Sequence, residues 1–249
     1  MLTQYAIKNI LFFDIETVPC CSNFSELSPE MQKFWELKAE WLATDAEDNA
    51  EKIYERAGIY AEFGKVVCIS AGCFKQQDSE LNLFLKSFYG DDEKLILQEF
   101  KQTLEKFFGA DLKSPEKNWQ NLKTLCGHNI KEFDVPYLAR RMLINGISLP
   151  AVLDISGKKP WETQFLDTLE LWKFGDRKNY TSLNLLTHLF NIPSSKDDID
   201  GSQVASVYYN EKNLERIAEY CEKDVVAVVR LFQKLCSESL VEEENIIRV

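Results

Sequence analysis

Two carboxylates, Asp14 and Glu16, stand at the end of the apolar segment Ile10–Phe13. On a β-strand, side chains two positions apart lie on the same face, so both carboxylates would point the same way, about 7 Å apart. Like charges beside a buried strand repel each other, and a divalent cation with oxygen ligands relieves that repulsion. Taken alone, the pair is more typical of an ordinary strand that ends in solvated acids.

A third carboxylate, Asp134, lies where a short apolar segment gives way to helical spacing. The apolar segment is Leu122–Cys126, and the helical spacing begins at Pro136, which a helix tolerates only in its first turn. Asp134 would therefore lie near the positive end of a helix dipole, which favours a carboxylate. A simple helix-capping role is the alternative.

Tyr220 and Asp224 lie on a long amphipathic helix predicted over 213–236. They are four residues apart, so they share one face of the helix. That face borders an apolar stripe, where an unpaired acid is costly. A pair of side chains that both reach solvent is the alternative. The stripe consists of Leu214, Ile217, Cys221, Val225, Val228, Phe232 and Leu235.

In this order the motifs resemble those of the DEDD superfamily of 3′–5′ exonucleases, in its tyrosine subclass. The matching strings are Phe-Asp-Ile-Glu-Thr, Gly-His-Asn-Ile-Lys-Glu-Phe-Asp and Tyr-Cys-Glu-Lys-Asp-Val. Within the superfamily, the chain is most similar to the proofreading exonuclease domain of B-family DNA polymerases and to related stand-alone bacterial proteins. The resemblance spans about residues 8–236, nearly the whole chain.

The resemblance implies phosphodiester hydrolysis with two divalent cations, Mg²⁺ or Mn²⁺, about 3.5–4 Å apart. Asp14 would bridge both ions. Glu16 and Asp224 would help to hold the ion beside the attacking water, and Asp134 would act at the other ion through water. Tyr220 would orient the attacking water, because a phenol is a poor base at neutral pH.

The resemblance also implies contacts with the substrate. The backbone at Ile15 and the side chain of Thr17 would meet the terminal nucleotide, and Asn129 would approach the sugar–phosphate. Phe133 would stack on a base, a contact worth about 1–3 kcal/mol, or else pack in the core. For His128 we expect a structural or substrate-edge role, since the last motif carries Tyr220 where another subclass carries histidine.

Two further features of the sequence bear on the site. Asp167 is a fifth acid near the motifs, and we expect it to support the site structurally.

Basic residues cluster at Lys173, Arg177 and Lys178, and the loop 173–180 is a candidate contact for the strand backbone or an ordinary solvated loop. The formal net charge is −11, so we expect weak, salt-sensitive binding of nucleic acid unless a separate replication or repair partner supplies affinity.

The organisation predicts a single α/β domain over 1–249 with a ribonuclease-H-like fold, in which helices flank a mixed central sheet of about five strands. Strands are expected near 9–16, 65–74, 80–88, 122–126 and 164–169, and helices near 92–108, 182–191, 201–208 and 213–236. Between the first two strands lies a mainly helical insertion at 24–63, which could act as a lid, a binding surface or a packing helix. We expect a loose tail at 238–249.

The composition bears on where in the cell the protein is expected and on whether it is a membrane or secreted protein. No apolar segment is long enough to cross a membrane, and no secretory signal precedes the first strand. The seven cysteines, which show no paired Cys-x-x-Cys elements, are then expected to be reduced in the cytoplasm. A fused polymerase does not fit in this length.

The function that these observations favour is metal-dependent 3′–5′ exonuclease activity on single-stranded or frayed DNA ends, releasing nucleoside monophosphates. The sequence favours DNA over RNA only through the resemblance. A 3′–5′ exoribonuclease or a ribonuclease-H-like endonuclease is the enzymatic alternative. A catalytically silent nucleic-acid-binding subunit is the alternative from another class of protein.

Overall fold

A mixed six-stranded sheet forms the centre of the protein. The structure is a computed structural model and describes residues 6–45, 47–77, 80–109, 122–176, 180–193 and 199–249. The strands are β1 (Ile10–Pro19), β2 (Gly64–Gln77), β3 (Glu80–Tyr89), β4 (Thr124–Gly127), β5 (Leu166–Asp167) and β6 (Ile246–Arg248). Their spatial order is β5-β4-β1-β2-β3-β6. Strands β1, β2 and β3 are antiparallel neighbours, whereas the pairs β1–β4, β4–β5 and β3–β6 are parallel.

Eight α-helices accompany the sheet within the described residues. They are α1 (Pro29–Leu42), α2 (Ala50–Ile53), α3 (Glu93–Phe108), α4 (Asp134–Ile144), α5 (Thr168–Lys173), α6 (Leu183–Leu189), α7 (Val204–Ser206) and α8 (Leu214–Leu235). A single π-helical turn, Val207–Glu211, follows α7. None of these helices is long and apolar enough to cross a membrane. The predicted α/β architecture is confirmed.

Strand β1 is buried on both faces, as its continuous apolar run predicts. On one face Phe12 packs against Phe232 of α8, with ring centroids 5.8 Å apart. On the other face Phe13 packs against Phe100 of α3 at 5.7 Å. Because side chains alternate along a strand, Asp14 lies on the same side of the sheet as Phe12 and α8.

The insertion between β1 and β2 is mainly helical, as predicted. Helix α1, helix α2 and a 3₁₀ segment, Tyr54–Ile59, enclose a small core around Trp35. The Trp35 indole donates a hydrogen bond to the carbonyl of Ala50 at 2.7 Å. The opposite side of α1 exposes large apolar side chains, among them Trp41 at 88% exposure. Helix α1 thus packs on one side and leaves an apolar surface on the other.

The expectation of a loose tail at 238–249 is wrong. Residues Ile246–Arg248 form β6, which pairs with β3 in parallel and makes the sheet six-stranded instead of about five. Strand β3 has one free edge, and the two isoleucines of β6 supply β-branched residues that suit it. Val241 is also buried, and the Arg248 guanidinium lies 3.2 Å from the Glu222 carboxylate on α8.

A buried ion pair anchors helix α4 to the rest of the fold. The Glu93 carboxylate accepts a hydrogen bond from Arg141 Nε at 2.8 Å and from the backbone N–H of Val66 at 2.7 Å. Arg141 also donates to the carbonyl of Ala61 at 2.9 Å. This network fixes α4 against β2 and against the end of the insertion.

We expect Arg141→Ala to lower the free energy of unfolding by about 3–5 kcal/mol, because it leaves the Glu93 charge buried without its partner. Chemical denaturation measures this loss. The matched control is Arg140→Ala, since the adjacent Arg140 pairs with Glu62 at 3.3 Å where both side chains are about half exposed. That variant should lose at most about 1 kcal/mol. Equal losses in the two variants would contradict the anchoring role of Arg141.

Candidate active site

Strand β1 carries Asp14 and Glu16 toward α8. The Asp14 side chain is half-buried, and Glu16 is only 8% exposed. Burial raises the pKa of both carboxyls well above their ordinary values, and neighbouring carboxylates raise each pKa further. Within the part of the chain that the structure describes, no group donates a hydrogen bond to the Glu16 carboxylate. Such a buried, unpaired carboxylate is costly unless a cation or a proton neutralises it.

Asp134 is the first residue of α4 and is 2% exposed. Burial raises its pKa to about 8, and a hydrogen bond from the backbone N–H of Ile15 partly opposes that rise. This bond ties the start of α4 to β1 beside Asp14. Asp134 therefore lies beside the other carboxylates. A residue that only capped the helix would not need this position.

Helix α8 brings Tyr220 and Asp224 to the same place. Burial is the largest cause that raises the pKa of the Tyr220 phenol far above its usual range. The negative charges of Asp224, Glu16 and Asp14 raise it further. The phenol is also hydrogen-bonded to the Asp224 carboxylate. Tyr220 therefore stays protonated near neutral pH and can donate a hydrogen bond, which suits an orienting role and not that of a base.

The structure thus brings together all four acids of the motifs. The charges of Asp134, Asp224 and Glu16 each raise the pKa of the Asp14 carboxyl, and the ligand atoms of Asp14 and Glu16 lie within 4.8 Å of each other. The donors are mainly carboxylate oxygens, which suit Mg²⁺ and Mn²⁺. Together with the unpaired Glu16 carboxylate, this donor set fits the binding of divalent cations.

One contact of the site was missed by sequence reasoning, which placed Cys221 only in the apolar stripe of α8. The Cys221 sulfur lies 3.4 Å from the carbonyl oxygen of Asp14 and 3.6 Å from its Oδ2. Asp14, Glu16 and Cys221 each offer one ligand atom, and these atoms lie within 4.8 Å of one another. The sequence signal that could have identified this contact is the position of Cys221 directly after Tyr220, on a helix that faces the carboxylates.

Asp167 supports the loop of the second motif, as expected. Its buried carboxylate accepts hydrogen bonds from the backbone N–H groups of Asn129 at 2.9 Å and Lys131 at 3.1 Å. It also caps α5 by accepting a hydrogen bond from the N–H of Leu169 at 3.0 Å. Asn129 has a φ of 67°, a left-handed conformation that asparagine tolerates better than most residues. Asp167 thereby fixes the chain that leads to Asp134.

His128 holds the neighbouring chain segment in place. Its Nδ1 lies 2.9 Å from the Thr168 hydroxyl, and its Nε2 lies 3.0 Å from the carbonyl oxygen of Thr181. Burial lowers the pKa of His128, so the ring is neutral. With both ring nitrogens engaged, the expected structural role is the one that the geometry supports. The exposed Tyr180 ring lies against the histidine ring, 6.2 Å between centroids.

The remaining predicted substrate residues occupy different settings around the carboxylates. The Thr17 hydroxyl is hydrogen-bonded to Tyr137. Phe133 is half-buried with its ring 5.4 Å from the ring of Tyr137, which corresponds to the packing alternative. Lys173 ends α5 and lies close enough to His128 to lower the pKa of that histidine. Arg177 and Lys178 lie outside the described residues.

Comparison with known families identifies one match. The family is described as a predicted 3′–5′ exonuclease related to the exonuclease domain of PolB, and the match covers residues 59–245. It includes Asp134, Tyr220 and Asp224, whereas Asp14 and Glu16 precede it. No curated protein sequence matches the chain.

Solved structures show the same fold. The chain resembles the family B DNA polymerase from the hyperthermophilic archaeon Pyrobaculum calidifontis with a TM-score of 0.54 and 15% sequence identity. The alignment covers 91% of this chain but only 24% of the polymerase, so the likeness concerns one part of that larger protein. Because the family match spans well over half of the sequence, the chain belongs to the family of predicted 3′–5′ exonucleases related to the exonuclease domain of PolB.

Proposed function

We propose that this enzyme removes nucleoside monophosphates from the 3′ ends of single-stranded or frayed DNA with the help of two divalent cations, Mg²⁺ or Mn²⁺. The observation that carries the proposal is the meeting of Asp14, Glu16, Asp134 and Asp224 in a largely buried space. Four carboxylates carry a charge of about −4, which two divalent cations balance. No catalytic alternative without metal is evident among the described side chains near the site, because His128 is neutral and engaged on both nitrogens.

Each side chain of the site has a distinct task in this proposal. Asp14, whose carboxyl is affected by the charges of the other three acids, would help to hold both cations. Glu16 and Asp224 complete the ligands beside the attacking water, and Asp134 serves the second cation. When bound, the cations activate the water and stabilise the departing oxygen of the scissile phosphodiester. With its proton donated to Asp224, the Tyr220 hydroxyl oxygen would accept a hydrogen bond from the water and fix the direction of its attack.

The substrate is proposed to enter past the Tyr180 ring. Burial raises the pKa of the Tyr180 phenol, and the charges of Asp134 and Asp167 raise it further, so this exposed side chain lies near the site. Lys173 lies near the same edge and provides a positive charge for a phosphate. A single strand can bring its terminal phosphodiester to these partly buried carboxylates without unpairing, whereas a duplex end must first fray. With a net charge of −11, binding should be weak and salt-sensitive, and a separate replication or repair partner would strengthen it.

Matched oligonucleotides test the proposed activity. With Mg²⁺ or Mn²⁺, a 5′-labelled DNA strand should give a ladder of progressively shorter products, and a 3′-labelled strand should give labelled mononucleotide at once. EDTA should abolish both, because the site requires cations to activate water. Asp14→Asn is the inactive control.

The same assay separates the alternatives. Faster cleavage of the matched RNA strand would indicate an exoribonuclease. Internal cleavage of both the 5′-labelled and the 3′-labelled strand would indicate an endonuclease. Full activity in EDTA would contradict the metal-dependent mechanism. Binding without any cleavage under all metal conditions would indicate a silent nucleic-acid-binding subunit.

Replacing Tyr220 with phenylalanine keeps the ring and removes only the hydroxyl. We expect the single-turnover rate at saturating metal to fall by about 10²-fold or more, because the water loses the hydroxyl that orients it. Metal affinity and the melting temperature should stay close to those of the wild type. Tyr54→Phe is the matched control, since Tyr54 is a buried tyrosine in the core of the insertion. A wild-type rate in Tyr220→Phe would show that Tyr220 only packs.

A further inference from the structure

We infer that Cys221 is a soft ligand in the cation site, so that the site binds thiophilic ions such as Cd²⁺ and Zn²⁺ in competition with Mg²⁺. The inference rests on the proposed metal-binding function and deepens it. It concerns which cations the site accepts and which of them block it.

The geometry places the Cys221 sulfur among the carboxylates. The residue is fully buried, and its sulfur lies 3.6 Å from Asp14 Oδ2. Ligand atoms of Asp14, Glu16 and Cys221 lie within 4.8 Å of one another, close enough to share one ion. A small movement of these side chains suffices to bring each atom to a metal-ligand distance.

A second observation points to a cation at this same position. The Glu16 residue is more than nine-tenths buried, and its carboxylate accepts no hydrogen bond from a residue that the structure describes. A buried carboxylate without a donor needs a counter-charge. The counter-charge must lie within reach of Glu16 and Asp14, and Cys221 adjoins that position.

The chemistry of the three donors sets the preference. Mg²⁺ binds oxygen ligands and is indifferent to the thiol, whereas sulfur is a preferred ligand of Zn²⁺ and of softer ions. A thiol binds such an ion as a thiolate and releases its proton to solvent. An ion held in this way by Cys221 and Asp14 would occupy the place of Mg²⁺ and would inhibit hydrolysis.

A neighbouring thiol provides the matched control. Cys68 of β2 is also fully buried and pairs in register with Glu16, but it is not among the three residues whose ligand atoms cluster. Cys221 and Cys68 are hydrogen-bonded to each other, so the control replaces a thiol in the same surroundings. Only Cys221 should act as a ligand.

The experiment titrates Cd²⁺ into the metal-free protein and follows the ultraviolet charge-transfer absorption of cadmium–thiolate bonds. We expect the wild type and Cys68→Ser to develop this band and Cys221→Ser to lose it. Cd²⁺ affinity should fall by about tenfold or more in Cys221→Ser, as is typical when a group that supports a metal is removed. Mg²⁺ affinity, measured by calorimetry, should stay within about twofold. Cys221→Ala provides a second variant in case the serine variant does not fold.

The outcomes decide whether Cys221 is a metal ligand or only a packed residue of α8. An equal Cd²⁺ band and equal affinity in the wild type and both Cys221 variants would overturn the inference. If that equality accompanied normal Mg²⁺-supported cleavage of DNA, the proposed function would stand while the inference failed. If the band depended on Cys221 but no variant and no wild-type sample cleaved DNA, the inference would stand and the proposed function would fail.

Discussion

The burial of four carboxylates near one another is the constraint on which the rest of this structure depends. Asp14, Glu16 and Asp134 all have raised pKa values, and burial is the largest cause for each. Such a group opposes folding at neutral pH unless protons or cations neutralise it. The fold must therefore supply enough favourable contacts elsewhere to hold these side chains at close range.

Three structural features hold the acids together. Strand β1 is packed on both faces, by Phe12 against α8 and by Phe13 against α3, so it cannot twist its carboxylates away. Helix α4 is fixed by the Glu93–Arg141 pair at one end and by the N–H of Ile15 at the other. The Asp167 carboxylate fixes the loop that leads into α4 through backbone hydrogen bonds. These contacts within the protein position the reacting groups, as catalysis requires.

Much of the fold and of the candidate site could be predicted because the signals are local. The apolar run before Asp14 and the helical stripe of α8 each specify one element, and the spacing of the acids specifies a shared face. What could not be predicted depends on contacts between distant segments. Strand β6 exists because β3 offers a free edge far away in the sequence, and no local pattern announces that pairing. The position of Cys221 beside Asp14 likewise follows from the packing of α8 on β1, and an apolar stripe does not reveal which of its members touches a polar neighbour.

The stability of the metal-free protein as a function of pH tests the central claim most directly. Because the pKa of Asp134 is raised from its ordinary value of 3.8 to about 8, the folded state favours the protonated carboxyl, and its contribution to stability is lost as the pH rises through that range. We predict that the free energy of unfolding without metal falls from about pH 4 to about pH 8, that Asp134→Asn weakens this fall, and that Mg²⁺ or Mn²⁺ reverses it by binding the folded state. Stability that is constant or rises over this range without metal, and that cations do not change, would contradict the account.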